Sequence, residues 1–242
     1  MNITKTFLIS SALMMSAGSL SAAGYLQNAN FLTVQLKQHQ NFGPNQIRLQ
    51  IVSDRIIRVQ ATAEQSFRNK QSLIIVPQTS KTNYKVEEQG DHLIITTAAM
   101  RAVLNEATGQ ITFYDLKGNV LLNEVAQGGK TFKPFTVPDR EIGVDIAKVP
   151  EEQKHGWSWH ALFDSPDNEA FYGLGQHQSE ELNMKGKNED LFQYNTKVSV
   201  PFVISNKNYG ILWDSYSYCR WGNPDDYLQL NRAFKLYDKD GK

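Results

Sequence analysis

The sequence predicts an all-β fold, specifically an antiparallel β-sandwich. Apolar and polar residues alternate with a period of two along much of the chain, as they do on half-buried strands. Turn residues such as Gly90-Asp91, Thr108-Gly109 and Lys117-Gly118-Asn119 recur at strand-length intervals, which is typical of sandwich and barrel folds. No segment carries an apolar stripe at helical spacing over three turns, so we expect little helix.

The first clear pair of strands lies in the N-terminal third of the chain. Residues 47–51 alternate, Ser53-Asp54 interrupts the run, and the alternation resumes over residues 57–61. This pattern predicts two antiparallel strands with one face on the core. A short run rich in β-branched residues, 73–76, follows and is closed by Pro77.

A meander of five strands is predicted next. The strands are expected at residues 84–88, 92–97, 99–105, 110–114 and 120–122. Tight turns with Gly, Asn or Asp separate most of them, so neighbouring strands should pair in chain order.

The following segments are less regular. Residues 139–154, flanked by Pro138 and Pro150, are interpreted as one strand and a loop. Residues 156–160 alternate and predict a strand with Trp157 and Trp159 on one face. Such a tryptophan pair either packs into the core or forms a platform for a sugar ring.

Length and charge limit the function classes. The chain has 242 residues, enough for one large or two small domains. Its 25 Lys and Arg residues balance its 25 Asp and Glu residues. This neutral balance gives no electrostatic reason to expect nucleic acid or an anionic membrane surface as a partner.

The N-terminus predicts a secretory signal peptide over residues 1–23. Lys5 precedes an apolar or small run over residues 7–20, and Ser21-Ala22-Ala23 offers small residues for cleavage. The run is too short for a spanning helix, although an uncleaved anchor is the alternative. We therefore expect a secreted or periplasmic protein with no membrane span, whose domain covers residues 24–237.

The chain has a single cysteine, Cys219. One thiol cannot form a disulfide within the chain, so stability must come from an ordinary core. With Tyr218 and Trp221 as neighbours, Cys219 is expected to be a buried structural thiol rather than a nucleophile.

The stretch 171–195 contains a Gly-x-Gly followed by a long polar segment. A dinucleotide-binding fingerprint needs a third glycine at the start of a helix, where this chain has Gln178 and no helical pattern. The residues 170–174 instead predict a strand whose glycines allow close approach of another backbone. A polar loop of this length is typically functional or disordered.

These residues also resemble a known family. Phe171-Tyr172-Gly173-Leu174-Gly175-Gln176 is similar to the Y-G-L/F-G-E motif in the N-terminal domain of glycoside hydrolase family 31. Further motifs match in the same order, namely 100–103, 108–111, Lys185-Gly186, 192–195, 200–205 and 209–212. Within the family, the chain looks most like secreted bacterial α-xylosidases and α-glucosidases. Residues 200–204 and 209–213 also predict a hairpin around Asn206-Lys207-Asn208.

The resemblance implies a galactose-mutarotase-like β-sandwich that precedes a catalytic (β/α)₈ barrel. In this family, two barrel Asp residues act as nucleophile and acid/base in retaining cleavage of an α-glycosidic bond. The implied partners are an α-linked xylosyl or glucosyl oligosaccharide and the protein's own barrel. We expect the chain to be an inactive piece of the enzyme, with residues 238–242 as a truncated linker after the strand-like residues 227–237.

The resemblance also implies a substrate-binding loop that reaches the barrel mouth. Its residues here are Tyr194, Asn195 and Thr196, where many relatives carry Asn-x-Asp or Arg-Asp. These side chains offer a stacking face and uncharged hydrogen bonds to sugar hydroxyls. A second departure is Gln176, which replaces the acid of the family motif. No catalytic residue is assigned to this chain.

Other catalytic or metal chemistry is not indicated. The acidic pairs Glu180-Glu181, Glu189-Asp190 and Asp225-Asp226 are adjacent in sequence, so on a strand their side chains would face opposite ways. The five histidines lack metal-ligand spacing except for His155 and His160, which would need further ligands. We therefore expect no metal and no other cofactor.

Two other functions stay open. An aldose epimerase-like enzyme on the same sandwich would use a His and a Glu, for which His160 or His177 with Glu180 are the candidates. A free carbohydrate-binding module would use exposed aromatic side chains such as Trp157, Trp159 and Trp221. The fold cannot separate these functions, because function depends on the site.

Overall fold

The structure is a computed structural model, and it describes most of the chain between residues 19 and 222. The described residues are 19–20, 24–28, 30–37, 41–68, 71–76, 82–127, 129–136, 145–177, 181–193 and 195–222. Nearly all the regular structure in these ranges is antiparallel β-sheet. The strand-like pattern at residues 227–237 and the proposed linker lie outside the described residues.

The first sheet has five strands paired in chain order. They are β1 (Ser19–Leu20), β2 (Tyr25–Gln27), β3 (Phe31–Gln35), β4 (Gln46–Ser53) and β5 (Ile56–Thr62). The predicted pair is confirmed, with Leu49 opposite Val59. Strand β1 lies within the predicted signal peptide, so cleavage there would leave β2 at the edge of the sheet.

The second sheet is the predicted five-stranded meander. Its strands are β6 (Lys85–Gln89), β7 (His92–Thr96), β8 (Met100–Asn105), β9 (Ile111–Asp115) and β10 (Val120–Asn123). Each pairs with its neighbour in chain order, and a bulge separates Val120 from Leu122 at the β9–β10 pairing.

These two sheets enclose the main core, which confirms the sandwich. The inward side chains of β3, β4, β7, β8 and β9 are almost fully buried and form one cluster: Leu32, Val34, Ile47, Leu49, Ile51, Leu93, Ile95, Ala102, Leu104 and Ile111. Burying a large aliphatic side chain contributes about 1.5–3 kcal/mol, so this alternation is the main stabilising feature of the fold.

A buried ion pair joins the meander to the next strand. Glu124 follows β10, and Lys130 begins β11 (Lys130–Thr136). The Lys130 ammonium donates to the Glu124 carboxylate and to Gly109 O at 3.1 Å, while Glu124 Oε2 accepts the Ile111 N–H at 2.8 Å. Burial raises the pKa of Glu124 and lowers the pKa of Lys130.

The rest of the described chain forms three small sheets. Strand β11 pairs with β12 (His155–Ala161), and β13 (Phe171–Gln176) pairs with β15 (Val198–Ser205), which also pairs with β16 (Tyr209–Leu212). Strand β14 (Glu189–Leu191) pairs with β17 (Cys219–Trp221). A second, smaller core lies here, formed by Phe171, Leu174, Met184 and Val203.

The segment interpreted as one strand and a loop, residues 139–154, is described only in part. Residues 145–154 contain a short 3₁₀ turn (Ile146–Lys148) and one helical turn, α1 (Glu151–Lys154), and no strand; residues 137–144 lie outside the described residues, so the predicted strand stays a prediction. The carboxylate of Glu151 contacts Lys154 and His155, pairs that favour a helical turn.

The β-branched run 73–76 forms no strand. The Ser72 hydroxyl accepts the N–H groups of Ile74 and Ile75 at 3.2 and 2.9 Å, and Leu73 is 81% exposed. This local side-chain bonding replaces pairing with a neighbouring strand.

The expectation of a buried Cys219 was wrong. Its thiol is partly exposed on the short edge strand β17 and donates to Ser217 O at 3.0 Å.

Candidate functional site

The glycine motif forms a bulge in β13. Gly173 pairs with Val203 and Gly175 with Ser199, and the register shifts between the two pairs. A Cβ on Gly175, whose φ is +96°, would lie 1.9 Å from Val198 O. The predicted close approach of another backbone is thus confirmed. The bulge also turns the buried Leu174 into the second core.

The polar segment after β13 folds back along that strand. The Met184 N–H donates to Phe171 O at 2.8 Å, and Asn183 Oδ1 accepts the Phe171 and Lys185 N–H groups, each at 3.0 Å. The Met184 side chain is buried in the second core. The described part of the segment, residues 181–193, is therefore anchored to the sheet. Residues 178–180 lie outside the described residues.

The β14–β17 pair closes the second core from the other side. The Trp221 indole donates to Met184 O at 3.0 Å, and its ring meets Phe171 edge-on with 5.2 Å between centroids. The buried Asp190 accepts the Tyr218 hydroxyl and lies 3.9 Å from Arg220 Nε. Desolvation and the neighbouring Asp190 raise the pKa of Tyr218.

Three charged or polar side chains converge at the base of the next turn. Glu189 Oε1 lies 3.0 Å from His177 Nδ1 and 2.7 Å from Lys197 Nζ. The other ring nitrogen of His177 is 2.7 Å from Leu174 O. The three side chains are largely buried, and they link the end of β13, β14 and the start of β15. We call His177, Glu189 and Lys197 the charged base.

The described residues of the predicted substrate-binding loop, Asn195 and Thr196, lie next to Lys197 of the charged base. Gln193 Nε2 donates to Lys197 O at 2.8 Å, and Gln193 Oε1 accepts the Ser199 N–H at 3.2 Å. Asn195, with a left-handed φ of 46°, and Thr196 are exposed on this turn, while Tyr194 lies outside the described residues. The turn presents an amide and a hydroxyl, both suited to sugar hydroxyls.

The remaining acidic candidates do not form a carboxylate pair among the described residues. The side chains of Glu189 and Asp190 contact different partners, as expected for neighbours on a strand. Glu181 forms an ion pair with Lys187, and Glu180 lies outside the described residues.

The histidines show no metal cluster in the described ranges. No group of three or more His, Cys, Asp or Glu side chains there could hold a metal ion. His155 and His160 are five positions apart on β12, so they face opposite sides of the strand. In the same ranges, no helix is long and apolar enough to cross a membrane.

The tryptophans divide between surface and core. Trp157 and Trp159 share one face of β12 and are each about 40% exposed. The Trp159 ring stacks on Trp213, with 4.3 Å between centroids, and on Phe132 at 6.1 Å. Trp221 packs on the second core, so it is not one of the exposed aromatic side chains that a free carbohydrate-binding module would use.

The sheet formed by β13, β15 and β16 has one apolar, solvent-exposed face. Its residues are 38–49% exposed: Tyr172, Val198, Val200, Phe202, Ile204 and Leu212. Cross-strand pairing places Tyr172 beside Ile204 and Phe202 beside Leu212. We call this surface the apolar sheet face.

Comparison with known proteins identifies the family. The sequence profile of the glycosyl hydrolase 31 N-terminal galactose mutarotase-like domain matches residues 46–221. The chain belongs to glycosyl hydrolase family 31. The match to this family 31 domain includes the glycine bulge, the charged base and the turn with Asn195. The family resemblance and the galactose-mutarotase-like fold predicted from the sequence are thereby confirmed.

Two curated relatives are each 26% identical to the chain over the matched residues. One is an α-xylosidase of Saccharolobus solfataricus, matched over 71% of this chain and 22% of the relative. The other is an uncharacterized family 31 glucosidase of Pseudescherichia vulneris, matched over 70% of this chain and 32% of the relative. The chain thus spans between a fifth and a third of these relatives.

Solved structures show the same fold. The family 31 α-xylosidase of Xanthomonas citri is 36% identical with a TM-score of 0.70, covering 82% of this chain and 20% of that one. A family 31 α-xylosidase from a soil metagenome, complexed with xylose, is 25% identical with a TM-score of 0.61, covering 81% and 28%.

The sequence did not predict the charged base or the anchoring of the polar segment. Residues 177–197 carry no regular spacing that would single out His177, Glu189 and Lys197. Their convergence depends on the bulge in β13 and on the pairing of β13 with β15.

Proposed function

We propose that this chain is the N-terminal, non-catalytic domain of a retaining α-glycosidase of the α-xylosidase or α-glucosidase type. The observation that carries the proposal is the profile match over residues 46–221. Named α-xylosidases among both the sequence relatives and the structural neighbours support the substrate class. A catalytic (β/α)₈ barrel elsewhere in the full-length protein would supply the nucleophile and the acid/base.

The arrangement of carboxylates supports a non-catalytic role. A retaining glycosidase needs two carboxyl groups roughly 5 Å apart on either side of the scissile bond. The buried carboxylates near the turn already have partners: Glu189 contacts Lys197, and Asp190 accepts the Tyr218 hydroxyl. Each therefore links neighbouring strands, and the two contact different partners instead of facing one common site.

The turn at residues 193–197 is the part of the domain that we propose contacts substrate. Asn195 and Thr196 are exposed, and the Gln193 side chain bonds the backbone of Lys197 and Ser199 next to them. Exposed uncharged donors and acceptors at this place can contribute hydrogen bonds to sugar hydroxyls at a barrel mouth. The apolar sheet face would pack against another part of the full-length protein, with the barrel as the proposed partner.

The catalytic proposal is tested with the 242-residue chain itself. At micromolar concentration it should not hydrolyse aryl α-xyloside or aryl α-glucoside above a buffer blank. Glu181→Gln serves as a control for any residual rate, because Glu181 is the exposed loop carboxylate that contacts Lys187. Turnover that copurifies with the chain and disappears in this variant would overturn the non-catalytic assignment.

The loop proposal is tested in a chimera. Residues 46–221 replace the matching domain of the Xanthomonas citri α-xylosidase, to which the chain is 36% identical. In this chimera, Asn195→Ala should lower kcat/KM for α-xylosides roughly 2- to 13-fold, the equivalent of one hydrogen bond of about 0.5–1.5 kcal/mol.

The matched control is Asn208→Ala in the same chimera. Asn208 is also an exposed Asn with a left-handed φ, of 65°, but it lies in the β15–β16 hairpin. Both substitutions remove a side-chain amide, and both place an alanine at a left-handed φ, so the backbone strain that they introduce is similar. If the two variants have equal kcat/KM, the turn at residues 193–197 does not contact substrate.

A further inference from the structure

A cleft of about 260 Å³ lies outside the main core, against the outer face of the second sheet. Thr112 and Tyr114 of β9 form its floor, because they alternate with the inward-facing Ile111. The segment that contains Asp164 and the hairpin residue Lys207 form its walls. The turn at residues 193–197 contributes no residue to the lining.

One wall of the cleft is a row of polar side chains that are hydrogen-bonded to one another. Asn123 Oδ1 accepts the Thr112 hydroxyl at 2.6 Å, and Asn123 Nδ2 donates to Asp164 Oδ2 at 2.5 Å. The Asp164 N–H also donates to Asn123 O at 2.9 Å. Because both the backbone and one carboxylate oxygen of Asp164 are held, this carboxylate has a defined position at the cleft.

The opposite wall contains a buried carboxylate. The Glu169 side chain is 1% exposed, and its Oε1 accepts the hydroxyls of Ser205 and Tyr209, each at 2.6 Å. Its Oε2 lies 3.8 Å from Lys207 Nζ, which is too long for a direct hydrogen bond. A hydroxyl oxygen that lies beside this pair, about 2.8 Å from both atoms, can donate to Glu169 and accept from Lys207.

The remaining lining is apolar. Val120, which is 47% exposed, lies at the cleft together with Leu121 and Pro166. A pyranose ring likewise combines polar and apolar groups, with hydroxyls at its edge and C–H groups on its faces. The volume is just below the roughly 300–1,000 Å³ of sites for drug-sized ligands, so only a small ligand fits.

We propose that this cleft binds one neutral monosaccharide unit. Two carboxylates, Asp164 and Glu169, face a single ammonium group, Lys207, so the lining disfavours an anionic ligand. The proposal rests on the lining of the cleft and not on glycosidase activity. Its failure would therefore leave the proposed function unaffected.

The first test is an NMR titration of the 242-residue chain with methyl α-D-xylopyranoside and methyl α-D-glucopyranoside. At least one should bind saturably, with a dissociation constant on the order of millimolar, since so small a ligand supports only modest affinity. The amide signals of Asn123 and Asp164 should shift. Absence of saturable shifts with both sugars, or tighter binding of glucose 6-phosphate, would overturn the proposal.

The second test uses matched variants. Val120→Trp should fill the cleft and weaken binding at least tenfold, whereas Leu116→Trp adds the same ring at another exposed position outside the lining. Likewise, Asp164→Ala should weaken binding and Asp167→Ala, in the same segment but outside the lining, should not. Equal affinities within both pairs, in variants whose melting temperatures match that of the parent chain, would contradict the assigned location.

Discussion

Replacing Lys130 with Met should destabilise the domain by about 3–5 kcal/mol at pH 7, the cost typical of leaving one partner of a buried ion pair alone. Methionine has a similar length and is apolar, so little cavity is created. The Glu124 carboxylate would keep the Ile111 N–H at 2.8 Å but lose its only ion-pair partner among the described residues. A native domain has only about 5–15 kcal/mol of stability, so the loss is large.

The destabilisation caused by Lys130→Met should decrease as the pH falls. Burial already raises the pKa of Glu124, and the attraction of Lys130, which opposes this rise, is absent in the variant. A carboxyl group with a raised folded-state pKa binds its proton more tightly in the folded protein. Its stabilising contribution is therefore complete below the unfolded pKa of about 4.3 and is lost as pH rises through the folded pKa. The loss in free energy of unfolding caused by Lys130→Met should therefore be smaller at pH 5 than at pH 7.

A double variant separates the charge effect from lost packing. In Glu124→Gln/Lys130→Met, the amide oxygen still accepts the Ile111 N–H and no charge remains. The remaining costs are the unpaired Gly109 O and the new amide N–H groups, each smaller than that of a buried unpaired charge, so the double variant should be more stable than Lys130→Met alone.

Urea unfolding followed by tryptophan fluorescence measures these differences. Lys148→Met is the control, because Lys148 forms an exposed ion pair with Asp145, and its effect should stay within about 0.5 kcal/mol. A loss below about 1 kcal/mol for Lys130→Met, or a double variant as unstable as the single one, would refute the assignment of the cost to a buried unpaired charge.

Three further predictions concern the backbone, processing and association. Gly175→Ala should destabilise the domain more than Gly186→Ala in urea unfolding: both have positive φ, but a Cβ meets Val198 O at 1.9 Å only at Gly175. Equal losses would contradict a steric cause. N-terminal sequencing of exported protein should show cleavage within Ser21-Ala22-Ala23, and an intact N-terminus would refute the signal peptide. The purified chain should self-associate through the apolar sheet face, so Ile204→Lys should lower its mass in light scattering; an unchanged mass would exclude that face.

The sequence alone predicted the strands whose side chains alternate regularly. Residues 47–51 and 57–61 and the meander appear as expected, because period-two alternation records which side of a strand is buried. The glycine motif likewise indicated close backbone contact, since only a residue without a Cβ fits beside Val198 O. The family followed from ordered motifs spread over most of the chain.

Two segments have local structure that alternation alone does not indicate. In the β-branched run 73–76, the Ser72 hydroxyl accepts the N–H groups of Ile74 and Ile75. In the described part of the segment 139–154, contacts of Glu151 with Lys154 and His155 accompany a helical turn. Neither outcome can be read from alternation, because hydrophobic periodicity contains no information about such bonds.

Only the tertiary structure decided what surrounds the candidate site and the cleft. The resemblance singled out Asn195 and Thr196, but the charged base beneath their turn forms because the β13 bulge and the β13–β15 pairing bring His177 to Lys197 and Glu189. The cleft likewise joins Asn123 to Asp164, 41 positions away. The alternation of apolar and polar residues specifies which face of each strand is buried, whereas the packing of the whole domain determines which strands pair.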